Sequence, residues 1–303
     1  MVGSKDIPPR TEGVNTIILK SMCTKIKFPP KDTNLTSMVA IVTGASSGLG
    51  LECSRQMLSL GLSRLIIAVR SVERGEAAAA NLRKAYPKAV VDVWTLEMES
   101  YQSIQDFAHR CETALVRLDI AILNAGLTQS KFGIVPSTGH ERTIQVNYLS
   151  TMLLAILLLP ILKEKTASSP GRMTIVNSGV SLTAKFPNHA QRPLLRSFDD
   201  TSITPWDPME RYYSSKLLGQ LFFAKLADYI KADDVVVNII EPGLIKGTGL
   251  HRDITGINGA IMAAFKAITA RTLEEGAAVY IDAAIVKGKE SHGCFLMDFD
   301  VKP

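Results

Sequence analysis

The stretch Val39-Ala-Ile-Val-Thr-Gly-Ala-Ser-Ser-Gly-Leu-Gly-Leu51 decides the fold of this 303-residue chain. A β-branched apolar run leads straight into Gly44, Gly48 and Gly50, and a helical pattern follows. Strand, glycine turn and helix, in that order, are what a dinucleotide pyrophosphate requires. Glycines let the backbone turn tightly and approach the phosphates, while the helix N-terminus offers unpaired N–H groups and the positive end of its dipole. An ordinary strand-to-helix turn has the same letters, so the motif carries weight only in company. The predicted contacts in the turn are Gly44, Ser46, Ser47, Gly48, Leu49 and Gly50.

Company comes from Tyr212-Tyr-Ser-Ser-Lys216. On a helix, Tyr212 and Lys216 are four apart and share one face. A phenol with its ordinary pKa of about 10 is a poor acid or base near neutrality. A lysine ammonium beside it favours the phenolate and is expected to lower that pKa. The plainer alternative is a tyrosine and a lysine meeting on a solvated face. The end of the second strand, Ala68-Val-Arg70-Ser71, has no carboxylate before Glu73. An acidic residue there would accept from a free ribose 2′-hydroxyl and repel a 2′-phosphate. Arg70 instead offers a planar fork, with Ser71 and Arg74 nearby, so the predicted cofactor is NADP(H). Arg70 as a solvated strand-end residue is the alternative.

Short apolar strands alternate with helical patterns, which predicts an α/β fold with a doubly wound parallel sheet in a single domain. Strands are expected at Met38–Thr43, Leu65–Val69, Val90–Trp94, Ile120–Leu123, Met173–Asn177, Val235–Ile240 and Cys294–Met297. Helices are expected at Glu73–Lys84, Ser103–Leu115, Thr138–Lys165, Arg211–Lys231 and Leu273–Val286. Residues 1–36 read as an N-terminal extension and 37–303 as the domain, with Pro29 and Pro30 ending any element at Asn15–Met22. The apolar run Met152–Leu162 is short for a span, contains Pro160, and is read as a core helix, with no membrane partner.

Composition narrows the classes. A 46% hydrophobic content supports a large core, and the +5 net charge is not gathered into basic runs with interleaved aromatics, so no nucleic-acid partner is expected. The cysteines Cys23, Cys53, Cys111 and Cys294 have neither metal spacing nor a secreted framework. A reducing, cytoplasmic location and no metal are the expectations.

With these motifs in hand, the chain from Ser37 onward resembles the short-chain dehydrogenase/reductase family, of retinol-dehydrogenase-like or fungal biosynthetic reductase type. The T-G-x-x-x-G-x-G signature is Thr43 to Gly50, Y-x-x-x-K is Tyr212 to Lys216, and N-A-G is Asn124-Ala125-Gly126. Ser178 follows the strand-like Met173–Asn177, and Asn147 stands in Val146-Asn-Tyr148. The resemblance implies an oxidoreductase in which Tyr212 gives the proton, Ser178 donates to the substrate oxygen, Lys216 tunes Tyr212 and holds ribose, and Asn147 positions a relay water. It also implies cofactor contacts at Asn124, Ala125, Gly126, Pro242, Gly243 and Thr248. Glu97 is implied at the adenine amino group, although the family more often has aspartate there. Thr248 lies one residue further from Pro242 than the common pattern.

Ser178 and Tyr212 stand 34 positions apart, a longer link than many members have. This insertion, 179–211, either borders the substrate cleft or decorates the surface. Residues 249–270, with Ile254, Ile257, Ile261, Met262 and Phe265, read equally as an apolar lid or a fixed core helix. A lid suits a lipophilic ketone or alcohol. The segments Trp206–Tyr213 and Glu241–Gly249 are similar to fungal reductases of secondary metabolism, which implies a ketoreductase. The alternatives are a non-redox dehydratase, isomerase or cyclase on this fold, and a dinucleotide-binding regulator. Met152–Leu159 is apolar all round, which predicts a homodimer or homotetramer through the helices at Ser103–Leu115 and Thr138–Lys165, unless the insertion or the N-terminal segment covers that face.

Overall fold

In the computed structural model the described residues are 24–167, 170–246 and 270–302, with isolated positions before residue 24. Of the Asn15–Met22 segment only Thr16 and Lys20 are described, and Thr248 and residues 249–269 of the expected lid lie outside the described residues.

Seven strands run parallel: β1 Val39–Thr43, β2 Arg64–Val69, β3 Val90–Thr95, β4 Ile120–Leu123, β5 Gly171–Val176, β6 Val235–Glu241 and β7 Phe295–Met297. An eighth, β8 Asp300–Lys302, pairs antiparallel with β7, and the spatial order is β3-β2-β1-β4-β5-β6-β7-β8. Sequence pattern missed β8. Three residues with a lysine and an aspartate carry no period-2 signal, and the strand forms because Asp298 and Phe299 turn the chain back at φ 55° and 64°.

The interior strands are buried along their length because both faces are covered. On one face, β1, β5 and β6 pack through Ile41, Met173, Ile175 and Val237 against helices α3 Tyr101–Ala114, α4 Arg142–Lys165 and α5 Pro208–Ala227. On the other, Ala40, Val42 and Ile240 pack against α1 Gly48–Ser59, α2 Val72–Ala85 and α6 Leu273–Ile281, which a π turn at Asp282–Val286 prolongs.

Helix α4 begins at Arg142, not at Thr138. Gly139 at φ 74° holds the chain out of the helical region, and Glu141 caps the helix by accepting from Thr143 and Ile144 N–H at 2.9 and 3.0 Å. Helix α5 begins earlier than Arg211 because Asp207 caps it and Pro208 starts it. At 24 residues α4 is long and apolar enough for a membrane crossing by length and composition, yet Leu154, Ala155, Leu158 and Leu162 are all inside the sheet-facing core. Its opposite side is more open, with Ile156 44% exposed.

The insertion is ordered and has its own small core. Phe198 packs with Ile144 of α4 and Leu218 of α5, and Phe186 stacks on it at 6.2 Å.

Candidate active site

All the sequence-derived groups within the described residues lie at the carboxyl edge of the sheet. At the β1 end, Gly44 and Gly48 take φ values of 67° and 59°, which favour glycine. A Cβ on Gly50 would lie 2.6 Å from Asn124 Nδ2 and 2.9 Å from Gly44 O, so α1 approaches the strand ends closely only because that position has no side chain. A Cβ on Gly48 would meet nothing within 4 Å, which leaves the mouth of the turn open. The Ser47 side chain does not cap α1, and the first turn has no acidic residue. Uncapped N–H groups, the positive helix end and an open approach fit a pyrophosphate.

Asn124, at the end of β4, donates to Thr43 O at 2.8 Å and accepts from Tyr280 Oη at 2.8 Å. Ala125 N–H donates to Thr43 Oγ1 at 2.9 Å. The next residue, Gly126, passes beside Asn147 and Lys216: a Cβ there would lie 3.3 Å from Asn147 Oδ1 and 3.7 Å from Lys216 Nζ.

Asn147 sits in a π turn, Gln145–Ser150, within α4. Its carboxamide accepts from Leu127 N–H and donates to Leu127 C=O, both at 2.9 Å, and donates to Ser215 Oγ at 3.0 Å. Ser215 in turn donates to Tyr212 O at 2.7 Å. The widened turn is held by side chains, since Thr151 Oγ1 donates to Val146 O at 2.8 Å and Gln145 Nε2 to Ser150 Oγ at 2.8 Å. π turns gather at functional sites because they re-aim one residue out of the regular helix.

Ser178 follows β5, whose last residue is Val176. Tyr212 and Lys216 are both buried on the first turns of α5, and Lys216 Nζ donates to Val176 O at 3.0 Å and lies 5.8 Å from the Tyr212 ring centre. Burial raises the Tyr212 hydroxyl to about 12, against a hydrogen bond with Ser178 that lowers it; the charge of Glu241 adds to the rise. Burial alone lowers Lys216 to about 8. The expected lowering of Tyr212 by its neighbouring ammonium is therefore not what this geometry gives. Desolvation of the phenolate dominates at this buried position.

Far from these groups, at the other end of the crevice, Arg70 is more than half exposed, with Nε 3.7 Å from Glu97 and Nη1 3.8 Å from Glu99. Glu97 also accepts from Glu99 N–H at 3.1 Å, so the carboxylate assigned to adenine already has two neighbours. Ser71 accepts from Arg74 N–H at 3.3 Å as the cap of α2. Pro242 and Gly243, after β6, are braced by Arg271, which donates to Pro242 O at 3.0 Å and pairs with Asp298 at 2.7 Å.

Motif reading missed Tyr280, Ser215, Glu241 and Arg271, which hold or flank the site, and had Thr43 only as the first letter of its signature. No spacing rule links Tyr280 to Asn124, 156 positions away. A carboxylate at the final residue of β6 was a readable signal, because such a strand end in an open α/β sheet faces the ligand crevice.

Comparisons with known proteins agree with this fold. The family model described as short chain dehydrogenase matches residues 38–190. The short chain dehydrogenase/reductase mfmJ of Annulohypoxylon moriforme is 52% identical over 306 residues, covering 100% of this chain and 88% of its own. The short chain dehydrogenase opdN of Penicillium oxalicum is 47% identical over 286 residues, covering 91% of each. Among solved structures, a short chain dehydrogenase of Escherichia coli CFT073 complexed with NADPH shares the fold at a TM-score of 0.65 and 20% identity, over 88% of this chain and 98% of that one.

Asn147→Ala leaves the Leu127 N–H and C=O without their side-chain partner. The variant is expected to remain folded but to lose about 1–3 kcal/mol in urea denaturation. An unchanged midpoint would mean that the carboxamide does not hold the turn.

Proposed function

Because the chain belongs to the short-chain dehydrogenase/reductase family, an oxidoreductase family, we propose that it is an NADP(H)-dependent ketoreductase for a lipophilic small molecule of fungal secondary metabolism. The observation that carries this reading is Tyr212, buried, kept protonated by its burial and hydrogen-bonded to Ser178. A phenol held protonated is the form that gives a proton to an oxygen on which negative charge develops. Ser178, hydrogen-bonded to Tyr212, supplies the second donor to that oxygen. Lys216 and Asn147 line the approach from the Gly126 side. The Gly44–Gly50 turn would hold the pyrophosphate, and the nicotinamide, when bound, supplies the hydride. Buried, unpaired Cys53, Cys111 and Cys294 suit the cytoplasm.

The test is to follow NADPH absorbance with a panel of lipophilic ketones. Consumption with formation of the alcohol is expected, and Tyr212→Phe is expected to lower kcat by about 10²–10⁴-fold. Product formed without NADPH consumption would overturn the reading in favour of a non-redox reaction. The reductive kcat/KM is expected to fall as pH rises through about 8, where Lys216 loses its proton, while Tyr212 remains protonated. A profile level to pH 10 would contradict Lys216 as the titrating group.

NADP(H) preference rests on Arg70. Its carboxylate neighbours are 3.7 and 3.8 Å away on an exposed surface, a contact worth about 0–1 kcal/mol, so they orient the guanidinium without consuming it. A 2′-phosphate makes a stronger, charge-assisted fork. Arg70→Ala is expected to raise KM for NADPH about tenfold or more while leaving NADH little changed. A parent enzyme that prefers NADH would sink the assignment.

A second copy of the chain is the proposed cover for the open side of α4 and the adjoining α5, where Ile156 and Leu221 are exposed between half-buried Leu153, Leu157 and Phe222. Light scattering at micromolar protein is expected to give the mass of two or four chains. The mass of one chain would overturn this.

A further inference from the structure

One buried ion pair ties the insertion to both catalytic helices. Glu141 has no exposed surface, and its carboxylate caps α4, the helix of Asn147. The same carboxylate lies 3.4 Å from Nη1 of Arg211, the residue immediately before Tyr212. Arg211 Nη1 also donates to Phe198 O at 2.5 Å, and the guanidinium lies 5.0 Å from the Phe198 ring and 5.2 Å from the Trp206 ring. Phe198 and Trp206 both belong to the insertion. A second tie runs alongside: Asp199 accepts from Glu141 N–H at 2.8 Å and pairs with His140 Nδ1 at 3.0 Å. Trp206 then reaches the loop after Gly126, donating to Ser130 O at 3.3 Å and meeting Phe132 edge-on at 5.6 Å.

A helix cap alone does not need a buried arginine, and a surface loop does not need one either. Only a planar cation has donors on its rim for a carboxylate and a carbonyl together with flat faces for two aromatic rings; an ammonium has neither fork nor face. Burying the pair costs solvation that it recovers only while every partner is present. The insertion therefore cannot leave without stranding Arg211 and Glu141, and these two residues carry the start of α4 and the turn that presents Tyr212.

We propose that Arg211, braced by Glu141, is a positioning residue that couples seating of the insertion to the alignment of Tyr212 with Asn147, so that the insertion is a fixed wall of the substrate site. This rests on the ketoreductase reading of that site.

The experiment uses a Trp94→Phe background, which leaves Trp206 as the single tryptophan of the chain. Parent, Arg211→Lys and the double variant Glu141→Gln/Arg211→Met are compared with NADPH and a ketone that the parent reduces. Arg211→Lys keeps the charge and loses the fork. It is expected to lose about tenfold or more in kcat and to raise KM for the ketone, with NADPH affinity unchanged in a nicotinamide fluorescence titration. Its Trp206 emission is expected at longer wavelength, as the ring loses its cover. The double variant removes both charges, so it is expected to melt no lower than Arg211→Lys and yet to keep the low kcat and high KM. That outcome separates positioning from stability. Parental kcat and KM in Arg211→Lys or in the double variant would overturn the proposal, as would unchanged Trp206 emission in both. If the parent reduces no ketone, the ketoreductase reading fails, and the Trp206 shift decides by itself whether Arg211 seats the insertion.

Discussion

The side chain of Asn124 bridges the two strands at which the sheet reverses its direction of winding. From β1 the chain builds outward through β2 and β3; from β4 it builds the other way, so the loops leaving β1 and β4 diverge and a crevice opens between them. Strand ends at such a crevice expose backbone groups that lack ladder partners. Asn124 satisfies Thr43 O, Thr43 Oγ1 satisfies Ala125 N–H, and Tyr280 fixes the orientation of the carboxamide from α6. The width of the crevice follows from these bonds. So does the requirement at Gly50, where the same carboxamide occupies the space of a Cβ, and so does the path of Gly126 past Asn147 and Lys216.

Sequence alone made the seven parallel strands legible, because strands buried on two faces must be continuous β-branched runs, and Ile120–Leu123 and Val39–Thr43 are recognisable without context. The glycine turn and the tyrosine–lysine pair were legible for a different reason: their chemistry is local in sequence. What was not legible is non-local. The π turn around Asn147 exists because the Leu127 backbone lies opposite, and no helical period announces it. The start of α4 was misread because apolar periodicity says nothing about Gly139 taking positive φ or about glutamate, an uncommon cap, being buried against Arg211. The direction of the Tyr212 shift was misread because a pair of residues shows charge but not burial.

Helix α5 shows how these parts depend on one another. Arg211, Tyr212, Ser214, Ser215 and Lys216 are all buried within its first turns, whereas Leu221 on the same helix is more than half exposed. That reverses the ordinary amphipathic arrangement, and such conflicts between local pattern and burial mark places where function sets the sequence. Each buried polar group must then be given a partner. Lys216 finds the end of β5, Ser215 finds Asn147, and Ser214 donates to Glu210 at 2.9 Å. Glu210 also accepts from Lys185 and Phe186 N–H at 3.2 and 3.0 Å, which brings the insertion into the same network. A shorter link between Ser178 and Tyr212 would lack the Phe198 carbonyl, the two rings and the Lys185–Phe186 backbone. Arg211 would then keep only Glu141, and Glu210 only Ser214, at the head of α5. The insertion and the buried polar start of α5 thus support each other through the Phe198 carbonyl and the Lys185–Phe186 backbone.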